Sequence, residues 1–315
     1  MRGRLLLLVA VLLIAGSGAV PSAVAAGAYE AASASTTVTY CSDGGQAQTL
    51  DMYEPLGGAA LHPLLLVVHG GYWSVGDSAV SQQSQFTQAV MSGALAAGFA
   101  VASINYRLAP ANRWPAQIID TRCAVRYLRA TATRWHIDPH EFAALGDSAG
   151  GQLVSLDALS AQRDQQWDSA QYAGQSTALQ AVVDCWGIVD LTAPGWSRLG
   201  RGLSTNAFRV PLGSPSAVLR SASPVSHVGP GAPPFLIIHG LSDTLVPPRQ
   251  STELRTLLRA AGDAATLVEV ANAGHGLATT AVPMVPALSD VAGQTVSWLL
   301  ATLRLRTSLH IGRVE

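Results

Sequence analysis

The stretch EFAALGDSAGGQL, residues 141–153, decides how the chain is read. An apolar run stops at Gly146, and Ser148 follows between Gly146 and Gly150. The pattern Gly-x-Ser-x-Gly suits a strand that turns sharply into a helix with the serine at the turn, because glycines two before and two after relieve steric crowding. Such a turn exposes the hydroxyl and points the N-terminus of the following helix at developing negative charge. The same pattern also occurs in ordinary strand-to-helix turns. Here the context favours a nucleophile, since the strand-like EFAAL precedes the turn and a helical stretch begins at about Ala149.

A serine hydroxyl is a poor nucleophile without a base, so a histidine oriented by a carboxylate must come from elsewhere in the chain. When the serine sits on such a turn, acid and base follow it in chain order, on loops after later strands. His275, in NAGHG, follows the β-prone TLVEV, and the neighbouring glycines leave its ring room to reach a cleft. Asp243, in HGLSDTLVP, follows FLIIHG. Asp190, after AVVDCWGIV, is the rival acid, because the preceding strand's loop can also supply the carboxylate. His62, His136, His140, His227 and His310 fall in loops, at element edges or in the tail, and His239 inside a strand end; these positions suit surface or core histidines.

A tetrahedral intermediate needs backbone donors for its oxygen anion, and loss of one such donor costs about 3 kcal/mol. The segment His69-Gly70-Gly71-Tyr72-Trp73 follows the apolar run LLLVV and lies upstream of the serine, where these donors are expected. Gly71, Tyr72 and Ala149 are the candidate donors of this oxyanion hole, with Gly70 shaping its turn.

The remaining chain supports this arrangement. TTVTY and QTLDMYEP are short β-prone runs; LLLVVH suits a strand buried on both faces; ALAAGFAVASINY reads as a helix ending at Gly98 followed by a strand. Pro115 opens a helical stretch with one apolar face, and further helices are predicted near Gln250 to Ala261 and up to about Leu303. Strands alternating with helices predict an α/β fold, a doubly wound and mostly parallel sheet. Residues 191–233 are rich in Pro, Gly and Ser yet carry Trp196, Phe208 and Val210, which predicts a small cap insertion over a pocket.

Composition narrows the function classes. With 49% hydrophobic and 12% charged residues, the 315-residue chain is globular, and its net charge of −1 gives no reason to expect nucleic acid. All 19 basic residues are arginine, so Schiff-base and Ser-Lys chemistry are excluded. Arg2 and Arg4, an apolar run from Leu5 to Ala15 and the small residues Ala23-Val24-Ala25 read as a secretory signal peptide over residues 1–25, leaving a main domain over 26–315. The apolar run is shorter than the roughly 20 residues of a membrane span. A secreted protein without stable membrane association is therefore expected. Cys41, Cys123 and Cys185 permit one disulfide in any of three pairings and show no metal-ligand spacing.

With these segments in hand, the chain resembles the α/β-hydrolase superfamily from about Leu50 to Leu303. Within it, the chain is similar to the esterases of the hormone-sensitive lipase type and to bacterial acetyl and feruloyl carbohydrate esterases. The resemblance rests on LDMYEP, HGGYW, NYRLAP, GDSAGG, IHGLSDTLVP and AGHG in the expected order. It implies Ser148 as nucleophile, His275 as general base then acid, Asp243 as the residue that orients His275, Asp147 as a turn residue and Arg107 in structural ion pairing. It also implies a serine ester hydrolase that needs no cofactor or metal and acts on small-molecule or polysaccharide-linked esters. Many members have a third glycine where Tyr72 stands, and HGGYW is similar to the oxyanion loop of kynurenine formamidases. An arylformamidase-like amide hydrolase is thus the nearest alternative, and a catalytically silent binding protein or a long-chain lipase are further ones. Trp73, Trp186, Trp196 and Phe208 are candidates for seating a feruloyl ring, although packing is the commoner role of such residues.

Overall fold

The computed structural model describes residues 35–55, 61–161 and 164–311, with side chains described to residue 303. The expected leader, residues 1–25, lies outside the described residues. Eight strands form one sheet: β1 (Thr36–Cys41), β2 (Gln48–Tyr53), β3 (His62–Val68), β4 (Ala100–Ile104), β5 (Ile137–Asp147), β6 (Ala181–Cys185), β7 (Phe235–Gly240) and β8 (Ala265–Val270). Their spatial order is β1-β2-β4-β3-β5-β6-β7-β8, and only β2 runs antiparallel to its neighbours. This is the mostly parallel sheet expected from the strand-helix alternation.

The central strands are mostly apolar because helices cover both faces, with Ser103 of β4, Asp184 of β6 and His239 of β7 as buried polar exceptions. Leu64, Leu66 and Val68 of β3 face a core shared with α2 (Ala116–Ala130), α3 (Ala149–Ser160) and α6 (Arg249–Ala260). Leu65 and Val67 face the opposite core, filled by Phe86, Val90 and Met91 of α1 (Gln85–Ala96) and by Val291 and Leu299 of α7 (Leu288–Ile311). The last helix thus runs past Leu303, the end expected from sequence.

Between β6 and β7, the segment read as irregular contains two helices, α4 (Arg198–Phe208) and α5 (Ala217–Ala222). Glycine and serine content hid them. Ser197 caps α4 by accepting from the Gly200 amide, and Phe208 packs on Trp73 and Trp114 with ring centroids 4.8 and 5.3 Å away. Tertiary packing fixes this helix where propensity alone is weak.

Of the three cysteine pairings, Cys41–Cys123 is the one formed, with Cα atoms 6.4 Å apart, tying β1 to α2. Cys185 is a buried free thiol. Among the described residues no helix is long and apolar enough to cross a membrane.

Candidate active site

β5 ends at Asp147 and α3 starts at Ala149, so Ser148 alone makes the turn between them, at φ 55° and ψ −113°. That conformation is strained for a residue with a side chain, at a cost of order 1–3 kcal/mol, and holds only where its surroundings enforce it. They do so here: the Ser148 amide donates to the Cys185 carbonyl at 2.9 Å. A side chain at Gly150 would collide with the carbonyl oxygens of Val68 and His69, and one at Gly146 with that of Gly150. Only glycine fits at either position.

The turn brings together three distant residues. His275 Nε2 lies 3.2 Å from Ser148 Oγ, and His275 Nδ1 lies 2.7 Å from Asp243 Oδ2. An ionised carboxylate only accepts, so Nδ1 carries a proton and Nε2 is the nitrogen that faces the serine. Asp243 Oδ1 accepts from the amides of Leu245 at 2.8 Å and Val246 at 2.9 Å. Burial raises the Asp243 carboxyl pKa, but the hydrogen bonds from His239 and His275, the charge of His275 and the Val246 amide outweigh it. The group is held well below the usual carboxylate range. Asp190, the rival acid, is not brought to His275. Its Oδ1 instead caps the turn entering the cap, accepting from the Thr192 amide and hydroxyl and the Ala193 amide.

The expected oxyanion loop lies against this turn. A Cβ on Gly70 would stand 3.2 Å from Ser148 Cβ, so the loop reaches the serine only because Gly70 has none. Gly70 belongs to the structure of the hole but not to its donors, because its amide donates to Asp147 Oδ1 at 3.0 Å. The amides of Gly71 and Tyr72 have no acceptor among the described residues, and Ala149, first in α3, has no intrahelical partner for its N–H. These three are the candidate donors named from sequence. The loop is held by Tyr106, whose hydroxyl donates to the carbonyls of both His69 and Gly70 at 3.1 Å. His69 stacks on Tyr106 with centroids 4.2 Å apart, and burial lowers its pKa to about 4. Arg107 forms the expected ion pair, with Asp120.

The four aromatics suggested as a ring-binding slot are packed instead. Trp73, Trp186, Trp196 and Phe208 are 0, 1, 6 and 4% exposed, which leaves no open ring face for a ligand. Trp73 donates from its indole to Gln152 Oε1, and Trp186 sets its edge against His275 at 6.3 Å. Their size made them candidates; burial against the cap and core removes them.

His239, read from sequence as a core histidine, stands 3.4 Å from Asp243 Oδ2 through its Nε2. Its spacing of four residues before the acid, at the strand end, was the available signal.

The BD-FAE family model matches residues 50–258. The chain is 34% identical over 218 residues to "Esterase LipC" of Mycobacterium tuberculosis, a match covering 68% of this chain and 53% of that protein. It is 32% identical over 262 residues to "Esterase LipQ" of the same organism, covering 79% of this chain and 60% of that one. The chain therefore spans a little over half the length of these relatives. Among solved structures, a truncated form of a carbohydrate esterase from gut microbiota superposes with a TM-score of 0.71 at 26% identity, covering 85% of this chain and 96% of that chain. The family match takes in both glycine loops and the Asp243 turn, and on that match the chain belongs to the BD-FAE family, with the fold of an α/β-hydrolase.

Proposed function

We propose that this protein is a secreted serine carboxylic-ester hydrolase that acts on short-chain acyl esters or on feruloyl or acetyl esters, through an acyl-enzyme. The observation that carries the reading is the run of contacts from Ser148 Oγ to His275 and on to Asp243. His275 Nε2 takes the Ser148 proton as Oγ attacks the ester carbonyl carbon, and the amides of Gly71, Tyr72 and Ala149 hold the resulting oxyanion. Collapse of the tetrahedral intermediate expels the alcohol, which receives the proton from His275. Water then repeats the sequence on the acyl-enzyme, with His275 again as base, and frees Ser148.

The similarity to proteins described as esterases, one of them a carbohydrate esterase, supports small-molecule or polysaccharide-linked esters as the substrate class. Export is supported by the leader-like residues 1–25 and by the Cys41–Cys123 disulfide, which suits an oxidising compartment.

The test is hydrolysis of p-nitrophenyl esters of increasing acyl length and of methyl ferulate, with an arylformamide for comparison and Ser148→Ala as control. Ester turnover abolished in the variant is expected. Turnover of the formamide alone would move the assignment to an amide hydrolase, and absence of turnover on every substrate would favour a binding role.

A further inference from the structure

Asp243 has more partners than a triad acid needs for one histidine. His239, at 1% exposure, puts Nε2 3.0 Å from the Val246 carbonyl oxygen and 3.4 Å from Asp243 Oδ2. A carbonyl oxygen only accepts, so Nε2 carries a proton and directs it between these two oxygens. On the other side of the ring, Nδ1 lies 2.6 Å from Ser251 Oγ in the first turn of α6, so the hydroxyl anchors the ring from that side. A line of contacts therefore runs from Ser148 through the half-buried His275 to the buried Asp243, His239 and Ser251.

The two oxygens of Asp243 are held differently. Oδ1 is fixed by two amides of its own turn. Oδ2 is shared by two imidazoles, one from the 3-10 turn at His275–Leu277 and one from β7. With Oδ1 alone fixed, the carboxylate still pivots about that oxygen, and His275 moves with it. A second donor on Oδ2, itself anchored on α6, removes that freedom. An apolar residue at this strand end would be cheaper to bury than an imidazole, so filling space does not by itself explain a histidine.

We propose that His239 is a positioning residue of the hydrolytic reaction: it holds Asp243 Oδ2 in the direction of His275 Nδ1, and through it aligns the imidazole that faces Ser148. The proposal rests on the triad reading given above. It acts on the chemical step and not on ester binding, since the contacts of His239 are with Asp243, Val246 and Ser251 and not with Ser148 or the glycine loop.

Three variants test it: His239→Phe, which keeps ring volume without a donor; His239→Gln, which keeps a donor; and Ser251→Ala, which releases the far side of the ring. For folded His239→Phe, the expected result is a fall in kcat of about tenfold or more with KM within about twofold. The far-downfield proton resonance of His275 Nδ1–H should move, and His239→Gln should recover part of the lost kcat. If His239→Phe does not fold, Ser251→Ala carries the test, with an expected loss of about threefold in kcat and the same resonance displaced. Wild-type kcat together with an unmoved resonance, in whichever variant is folded, overturns the proposal. Ser148→Ala is assayed in parallel. Activity surviving there removes the triad itself, whereas activity lost there and unchanged in His239→Phe removes only the role of His239.

Discussion

Ser148 and His275 are 127 positions apart in the chain, yet Ser148 Oγ and His275 Nε2 lie 3.2 Å apart. Nothing local joins them; they meet because β5 and β8 end at the same edge of one sheet. On the proposed mechanism, replacing either member of this pair removes the nucleophile or its base outright. Ser148→Ala is expected to lower kcat by about 10⁴-fold or more with little change in Tm, measured on the preferred p-nitrophenyl ester. A variant that keeps a tenth of the wild-type rate would place the nucleophile elsewhere.

The two candidate acids are separated by their partners. Asp243 touches His275, while Asp190 caps a turn. Asp243→Asn presents His275 with a donor or a weaker acceptor and is expected to cost about 10⁴-fold in kcat. Asp190→Asn keeps its capping oxygen and should leave kcat within about twofold. Comparable losses in both variants would contradict this assignment.

Tyr72 bears on acyl size. Its ring is buried, and its hydroxyl has no hydrogen-bond partner among the described residues. At φ 51° its backbone already has a conformation that glycine adopts without strain. Tyr72→Gly should therefore fold, open space beside the acyl carbon and raise turnover of longer p-nitrophenyl esters relative to acetate. An unchanged chain-length profile would show that Tyr72 does not limit the acyl group.

Asp147 ties the two loops of the site together at a cost that depends on pH. Burial raises its pKa to about 6, against the opposing charge of His275 and the Gly70 amide, whereas an unfolded aspartate titrates near 3.9. The folded protein thus holds a proton there that the unfolded chain has lost, so stability falls as pH rises from about 4 to about 6. Asp147→Asn removes this titration and keeps an oxygen for the Gly70 amide. The variant is expected to have a higher Tm than wild type at pH 8, by about 1–2 kcal/mol of stability, with the gap closing below pH 4. A gap of equal size at both pH values would assign the effect to something other than ionisation.

The Cys41–Cys123 bridge closes a loop of 82 residues in sequence separation. In the chain-entropy account this stabilises the fold by about 4.5 kcal/mol. A reductant, or Cys41→Ser with Cys123→Ser, should lower Tm by many degrees. Cys185 should resist alkylation in the folded state, since burial and the nearby Asp184 and Asp147 push its thiol pKa up. Unchanged Tm after verified reduction would remove the bridge from the stability of the fold.

The sequence by itself determined what local chemistry dictates. An apolar strand, a serine between glycines and a helical stretch are enough to read a sharp strand-to-helix turn, and the structure shows why those glycines are required: Gly146 and Gly150 face backbone where no Cβ fits. The order of Ser148, Asp243 and His275 likewise follows from strands that all deliver their ends to one edge. Tertiary structure decided matters of contact between distant segments. Asp190 and Asp243 are alike as strand-end carboxylates, and only the placement of the His275 turn selects between them. The large aromatics looked suited to a ligand, and only the packing of Phe208, at the end of α4, on Trp73 shows them buried. Residues 191–233 read as irregular because α4 and α5 draw their stability from the surface beneath them and not from helix-forming composition. His239 read as core because its partners, Asp243 and Val246 on one turn and Ser251 on a helix, meet at the strand end only when the sheet is complete.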